Sequence, residues 1–207
     1  MIKLSILTAS VRPEGLDIVY QCLRKQDFDP KEFEWIIVGN TEVHEYLIHQ
    51  PWEDHYVQDG DLFAFTLEGG FQIRALTEPS KRKGDFYNLT KSYNLLFNNA
   101  NGELAVMWTD LTWAPSDVLS LFWQHYQNNP NICVGAIGHQ YEKVEMNKPQ
   151  IEIWHDPRAR TDYGSFYEIS PIDFEMCLAS IPVQAVKDVG GWDEHWDMYA
   201  ATGEKEI

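Results

Sequence analysis

The 207-residue sequence lacks long apolar runs, is poor in cysteine and carries few basic residues. A membrane-spanning helix needs about 18 or more consecutive apolar residues, and no stretch approaches that length. Residues 1–15 contain a short apolar run without the small-residue cleavage site of a secretory signal peptide, which favours a first strand there. These absences predict a soluble, cytoplasmic protein with no integral membrane segment.

The cysteine and charge patterns exclude further classes. Cys22, Cys133 and Cys177 are scattered, with neither a Cys-x-x-Cys pair nor a metal-binding spacing, so we expect buried free thiols. The 16 lysine and arginine residues are outnumbered by 32 aspartate and glutamate residues, for a formal net charge of −16. A surface this acidic repels phosphate backbones and anionic lipid headgroups, which argues against nucleic acid or a membrane surface as the partner.

The order of the apolar patterns predicts an α/β fold. With 44% hydrophobic residues the chain can bury one full core, so residues 1–207 are expected to form a single domain. Strand-like runs alternate with amphipathic stretches, which predicts a mostly parallel sheet flanked by helices. The predicted strands are 3–8, 34–38, 72–77, 104–108, 132–137 and 174–179. The predicted helices are 14–26, 43–49, 86–99, 118–127 and 183–189.

Two stretches break this alternation. Pro51, Gly60 and the pair Gly69–Gly70 interrupt residues 41–70, where we predict one short helix and loops. Residues 142–154 alternate between apolar and polar around a central turn, which favours a small β-hairpin insertion or an edge insertion.

One carboxylate follows the most apolar predicted strand. The run 104–108 is bounded by Gly102 and Pro115, as is typical of a buried strand, and Asp110 comes just after it. Open α/β sheets bind ligands at the carboxyl ends of their strands, so Asp110 is a candidate site residue. The alternative is that Asp110 caps the helix that begins near Ser116, or forms an Asx turn.

The sequence contains one basic cluster, Lys81–Arg82–Lys83, directly before Gly84. Three cations beside a glycine could contact a diphosphate. A solvated loop is the alternative for a charge run of this length.

Four stretches, in this order, resemble the family 2 glycosyltransferases, which have the nucleotide-sugar-binding GT-A fold. They are LSILTASVRPEGLDIVYQCLRKQ at 4–26, FEWIIVGN at 33–40, GDFYNLTKSYNLLFNNANGELAVMWTDLTWAP at 84–115 and CLASIPVQAVKDVGGWDEHW at 177–196. The resemblance covers nearly the whole chain and implies a divergent or truncated member with a Rossmann-like GT-A fold. It further implies inverting transfer, of the hexosyltransferase type, from a nucleotide-diphosphate sugar, most simply a UDP-sugar, to a carbohydrate or glycan acceptor.

The resemblance also assigns roles to single residues. Glu204, and as second choice Glu206, stand where the family has the general base that deprotonates the acceptor hydroxyl. Exposed tail glutamates are the alternative. The implied nucleotide-sugar contacts are Thr8, Ser10, Arg12, Asn40, Arg82, Lys83, Asn94, Thr109, Asp110 and Trp192.

The chemistry of such a transfer predicts a divalent metal. Negative charge develops on the departing diphosphate, and Mn²⁺ or Mg²⁺ held by a carboxylate oxygen can neutralise it. Asp110 is the candidate ligand. His195, close in sequence to the proposed base, is a candidate for a further metal ligand or a sugar contact, with a surface or packing histidine as the alternative.

The chain departs from the family pattern where acidic residues are usual. Thr109–Asp110–Leu111 offers one carboxylate where two or three are usual, and Gly39–Asn40 and Lys205 replace aspartates. The alternative function is therefore a non-catalytic sugar- or nucleotide-binding module on a degenerate GT-A scaffold. A nucleotidyltransferase is disfavoured, because no glycine-rich phosphate loop follows the first strand.

Overall fold

The computed structural model describes residues 1–50, 55–59, 62–66, 70–77, 89–141, 152–158 and 166–195. Its strands are β1 Leu4–Ser10, β2 Phe33–Gly39, β3 His55–Asp59, β4 Leu62–Thr66, β5 Gln72–Thr77, β6 Leu104–Trp108, β7 Val134–Gly135, β8 His139–Tyr141, β9 Glu152–His155 and β10 Leu178–Pro182. Its helices are α1 Leu16–Leu23, α2 Thr41–Ile48, α3 Leu89–Asn99, α4 Val118–Asn128 and α5 Val183–Val189.

Eight strands form a mixed sheet in the order β3-β4-β5-β2-β1-β6-β10-β7. The central strands β5, β2, β1 and β6 pair in parallel, whereas β4 and β10 run antiparallel to both of their neighbours. Six of the eight strands therefore share one direction, and the predicted mostly parallel sheet is confirmed. The chain adds β2 and β5 on one side of β1 and then returns to place β6 on the other side. That reversal is the topological switch point at which open α/β sheets bind ligands.

Helices cover both faces of the sheet, as the sequence predicts. One apolar cluster packs α1, α2 and α4 against one face, and a second packs α3 and α5 against the other. Every residue of β2 and β6 is buried, because a strand between two helical layers has no solvent side. This burial on both faces explains why the sequences of these two strands are almost entirely apolar.

The predicted elements match the structure best in the centre of the sheet. Strands 72–77 and 104–108 and helix 183–189 have the predicted bounds. The prediction of loops after α2 is wrong, because β3 and β4 form an antiparallel hairpin that extends the sheet edge. The β-prone run Leu62–Thr66, directly after Gly60–Asp61, is the overlooked signal.

The outer strands differ more from the prediction. The strand predicted at 132–137 is reduced to β7, which pairs with β10 over two residues only. The strand predicted at 174–179 is shifted to β10, whose last residue is Pro182. A proline is tolerated at a strand end because it lacks only one donor. Of the stretch 142–154, where the hairpin or edge insertion is predicted, the structure describes only the part in β9, which pairs antiparallel with β8, a strand that ends at Tyr141. Residues 142–151 lie outside the described residues.

The structure can be compared with two expectations from the sequence, that no segment spans a membrane and that the cysteines are buried free thiols. In the described part of the chain, no helix has the length and apolar character needed to cross a membrane. All three cysteines are free thiols, but only Cys22 is buried. The expectation of buried thiols is wrong for Cys133 and Cys177, because each lies just outside a strand near the edge of the sheet.

Candidate functional site

The switch point brings two chain segments together. Strands β1 and β6 are parallel neighbours, paired from Leu4 and Leu104 to Leu7 and Met107. Ser10 and Arg12 lie at and just after the end of β1, and Asp110 lies two residues after β6. Residues about 100 positions apart in sequence thus meet at one edge because parallel strands end side by side.

Asp110 is held by Ser10, the last residue of β1, and by Arg12, which lies just after that strand. Its Oδ2 accepts a hydrogen bond from Ser10 Oγ at 2.6 Å and another from Arg12 Nε at 3.1 Å. Its Oδ1 accepts from Arg12 Nη2, which makes the ion pair bidentate. The Asp110 side chain is 4% exposed and that of Arg12 is 47% exposed. The hydrogen bond to Asp110 raises the pKa of Arg12 further, and the guanidinium stays charged.

The backbone after Asp110 is strained. Leu111 has φ 65°, in the left-handed region that costs a non-glycine residue about 1–2 kcal/mol. A Cβ at Gly15 would lie 3.0 Å from Asp110 Cβ, so glycine lets the start of α1 pack closely against this turn. Strain of this kind is concentrated at functional sites, and it supports a role for the Asp110 turn.

Two predicted contact residues near Asp110 have their hydroxyls engaged. Thr8 is fully buried; its Oγ1 donates to the Trp108 carbonyl at 2.8 Å and accepts from Trp35 Nε1 at 2.9 Å. Thr109 Oγ1 lies 2.7 Å from Thr112 Oγ1 and donates to the Cys177 carbonyl at 3.2 Å. Both brace the strand ends in this structure, and their contact with a ligand stays a prediction.

Asn40 lies at the carboxyl end of β2. Its Oδ1 accepts a hydrogen bond from the Val43 backbone N–H at 3.1 Å, which caps α2. The side chain is buried, and its predicted contact with the donor nucleotide stays a prediction.

Asn94 on α3 clamps the segment that follows α5. Its Nδ2 donates to the Trp192 carbonyl and to Glu194 Oε1, both at 2.9 Å, and its Oδ1 accepts from the Trp192 N–H at 2.8 Å. A Cβ on Gly191, which has φ +83°, would lie 2.5 Å from Asn94 Oδ1. The Trp192 ring lies 4.9 Å from that of Phe97, centroid to centroid. The structure therefore shows Asn94 and Trp192 in contact with each other.

His195 lies at the exposed end of this segment. Its Nδ1 is 2.8 Å from Asp193 Oδ1, and its backbone N–H donates to the same oxygen at 3.0 Å. These contacts lower the pKa of Asp193. Within the described ranges, no hydrogen bond or ion pair joins His195 to Asp110, and its role as a ligand stays a prediction.

Sequence reasoning missed one residue near Asp110, the buried Tyr93 on α3. Burial raises the pKa of Tyr93, and the negative charge of Asp110 raises it further. A tyrosine among the apolar residues of a helix gives no motif of its own. Four predicted site residues, Arg82, Lys83, Glu204 and Glu206, lie outside the described residues.

The predicted metal ligand, the carboxylate of Asp110, is already surrounded by hydrogen-bond donors. Both oxygens of Asp110 already accept hydrogen bonds, and a guanidinium cation stands against them. In the part of the chain that the structure describes, no group of three or more His, Cys, Asp or Glu side chains could hold a metal ion. The donor set among the described residues therefore does not fit a divalent ion.

Comparisons with known proteins identify the fold. No family model matches the chain, and no curated protein matches it significantly in sequence. The solved structures with a similar fold include residues 1–349 of TarS from S. aureus in complex with UDP, and the mannosyltransferase PcManGT from Pyrobaculum calidifontis in complex with GDP-Man and Mn²⁺. The first has a TM-score of 0.59 at 12% identity over 96% of this chain and 55% of the TarS 1–349 chain. The second has a TM-score of 0.54 at 14% identity over 97% of this chain and 51% of PcManGT.

At this identity the similarity shows a shared fold and nothing finer. It confirms the α/β, Rossmann-like fold class expected from the sequence. The chain spans about half the length of the solved structures that it matches.

Proposed function

We propose that the chain is a GT-A glycosyltransferase, related to family 2, that binds a nucleotide-diphosphate sugar at the carboxyl edge of its sheet. The observation that carries this proposal is the cluster of Ser10, Arg12 and Asp110 at the switch point between β1 and β6. In open α/β sheets this crevice is where nucleotides bind. The solved proteins with the same fold contain UDP or GDP-Man, which supports a nucleotide sugar as the ligand.

The proposed reaction is an inverting displacement. The acceptor hydroxyl oxygen attacks the anomeric carbon from the side opposite the diphosphate and forms the new glycosidic bond. The bond from that carbon to the diphosphate oxygen breaks, and the nucleoside diphosphate leaves with the electron pair. Glu204, or Glu206 as second choice, takes the hydroxyl proton as general base. This assignment rests on the resemblance of the sequence alone.

The charge of the leaving diphosphate requires a cation beside it, and a divalent ion and Arg12 are the two candidates. Mn²⁺ was found with GDP-Man in PcManGT, which makes a divalent ion a reasonable partner for the fold. The donor set of the described residues does not fit such an ion, because Arg12 contacts both oxygens of Asp110. Arg12 supplies a permanent positive charge at the same place.

Thermal unfolding against a ligand panel tests the proposal. The panel contains nucleoside diphosphates, UDP- and GDP-sugars and nucleoside triphosphates, each with Mn²⁺ or with EDTA. A ligand that binds only the folded state adds about 2.7 kcal/mol of stability at a hundredfold excess over its dissociation constant. We expect a raised midpoint with one nucleoside diphosphate and its sugar.

Release of the free nucleoside diphosphate in the presence of glycan acceptors then measures transfer. A flat panel under both conditions would contradict the proposal. A shift with nucleoside triphosphates and consumption of the triphosphate would indicate a nucleotidyltransferase instead.

A second candidate function is a sugar- or nucleotide-binding module without catalysis. The observation that favours it is that Asp110 is the single carboxylate of the turn and is neutralised by Arg12. Binding of a nucleotide sugar with no release of nucleoside diphosphate, for any acceptor tested, would favour this candidate over the transferase.

A further inference from the structure

We infer that Arg12, not a metal ion on Asp110, is the cation that binds the diphosphate of the donor, and that Asp110 is the positioning residue that holds Arg12. This inference rests on the proposed function and assigns a role within the same site. It predicts that nucleoside diphosphates bind without a divalent metal. The disagreement between the predicted metal and the observed donor set motivates it.

The geometry around Asp110 is that of a holder for a guanidinium. The two oxygens face Nε and Nη2 of Arg12, which is the planar, bidentate arrangement of guanidinium and carboxylate. The hydroxyl of Ser10 fixes Oδ2 from the side at 2.6 Å, and the hydroxyl also accepts a hydrogen bond from the Arg12 backbone N–H at 3.0 Å. Ser10 thus orients both the carboxylate and the chain that carries Arg12.

Arg12 retains capacity for a second anion. A guanidinium has five N–H donors in a fixed fork, and the bonds to Asp110 use those at Nε and Nη2. Among the described residues, none accepts a hydrogen bond from Nη1. The Arg12 side chain is 47% exposed although the carboxylate that it pairs with is buried, so about half of the side-chain surface is open to a ligand. Arginine is suited to phosphate because its donors match two phosphate oxygens at once.

Charge explains why such a residue is needed. The chain carries a formal net charge of −16, which disfavours the approach of a diphosphate. Arg12, just after the end of β1, cancels the charge of Asp110, so a diphosphate that approaches this place does not meet an unpaired carboxylate. The same cation opposes a metal at Asp110, because a dication would have to displace the guanidinium or bind beside it.

Nucleoside diphosphate binding to single variants tests the inference. Affinities for UDP and GDP are measured by calorimetry in EDTA and in Mn²⁺, for the unmodified chain and for Arg12→Gln, Arg12→Lys and Asp110→Asn. We expect binding in EDTA to be within about threefold of that in Mn²⁺. We expect Arg12→Gln to weaken it by about tenfold or more, as for loss of a charge-assisted hydrogen bond. Asp110→Asn should weaken it less, because the arginine remains.

Lys3→Gln is the matched control. Lys3 pairs with Glu32 just before β1, so this change removes the same charge at the opposite end of the same strand. Affinity should be unchanged. The nucleosides uridine and guanosine, which lack phosphate, should bind the unmodified chain and Arg12→Gln equally. Arg12→Lys keeps the positive charge but loses the planar set of donors, so its affinity for UDP and GDP should lie between those of the unmodified chain and Arg12→Gln.

The two accounts of Asp110 predict opposite orders of effect. If Asp110 ligates a metal, binding requires Mn²⁺, is lost in Asp110→Asn and is retained or improved in Arg12→Gln. That result, or binding in EDTA that Arg12→Gln leaves unchanged, would overturn the inference while the proposed function stands. Absence of binding to the unmodified chain under both conditions would overturn the proposed function itself.

The folded state of Arg12→Gln is checked by its unfolding midpoint. Should that variant fail to fold, the double variant Arg12→Gln with Asp110→Asn removes both charges and leaves no unpaired buried carboxylate. It should bind as weakly as Arg12→Gln is expected to bind. Affinity equal to that of Asp110→Asn alone would overturn the inference.

Discussion

Two buried carboxylates lie at opposite edges of the same sheet and differ in how they are held. Glu34, near the amino end of β2, is fully buried and accepts from Ser5 Oγ, the Asn101 backbone N–H, Asn101 Nδ2 and Arg74 Nη1, at 2.7 to 3.0 Å. Its arginine is only 12% exposed. Asp110, at the carboxyl edge, is held by Ser10 and by an arginine that is 47% exposed.

The difference separates a structural carboxylate from a candidate functional one. Asn101 lies between α3 and β6, so its two hydrogen bonds to Glu34 tie that connection to the sheet. The partner of Asp110 can rotate into water without leaving its own charge buried. A closed network gives stability, whereas an open ion pair beside a crevice leaves a cation available to a ligand.

The largest expected effect on stability comes from breaking the Glu34 network. Glu34→Ala removes the carboxylate that pairs with the mostly buried Arg74 and accepts from the buried hydroxyl of Ser5, and Arg74 keeps its hydrogen bond to the Asn99 carbonyl. The free energy of unfolding should fall by about 3–5 kcal/mol, measured by urea denaturation. Glu34→Gln keeps one acceptor and should lose less. Exposed ion pairs contribute less than about 1 kcal/mol. A loss that small for Glu34→Ala would contradict the distinction between the structural carboxylate Glu34 and the candidate functional carboxylate Asp110.

The next largest expected effect concerns the hydrogen bonds between Asn94 and the backbone of Trp192. Gly191→Ala combines a φ of +83° with a Cβ 2.5 Å from Asn94 Oδ1 and should cost about 2 kcal/mol or more. Gly190→Ala is the matched control, because it has φ +84° and no atom within 4 Å of its Cβ. The difference between the two variants in urea denaturation isolates the clamp. Equal losses would show that strain alone is responsible.

Asp110→Asn should cost little stability, about 1 kcal/mol or less, because Arg12 can be hydrated and the asparagine oxygen can still accept from Ser10. The same variant should reduce transfer from the nucleotide sugar and weaken nucleoside diphosphate binding. Denaturation and calorimetry on one preparation measure both. A loss of stability as large as that of Glu34→Gln would contradict the contrast between the edges.

The smallest effect belongs to an exposed carboxylate, Asp193. Contacts with His195 lower its pKa below the ordinary value of 3.8. Because the folded-state pKa is the lower one, the stabilisation is present above pH 3.8 and is lost as the pH falls through the folded value. An NMR titration should place the pKa of Asp193 below 3.8, mainly because the backbone N–H of His195 donates to its carboxylate. His195→Ala keeps that backbone N–H and removes only the side-chain contact, so it should raise the pKa only in part. A pKa at or above 3.8 in the unmodified chain would contradict this.

The centre of the fold could be predicted from the sequence because burial on both faces leaves a continuous apolar record. The runs of β1, β2 and β6 are examples, as is the position of Asp110 after the last of them. The edge strands β3 and β4 were missed because glycine and proline near them were attributed to loops.

The residues of the candidate site could be predicted from the sequence, but the contacts between them could not. The resemblance placed Ser10, Arg12 and Asp110 in one site, but their pairing depends on β1 and β6 being neighbours, which no local pattern records. Glu34 was overlooked because a single acid inside an apolar strand gives no motif. Its partner Ser5 lies beside it in the register of β1 and β2.

Hydrogen exchange with and without the nucleotide sugar selected by the panel tests the central claim most directly. If the carboxyl edge binds the donor, exchange slows for the backbone amides of residues 10–12 and 109–112. Residues 32–34 and 101–103, at the amino edge around Glu34, should exchange at an unchanged rate. Slowed exchange at the amino edge, with none at residues 10–12 and 109–112, would contradict the assignment of the site.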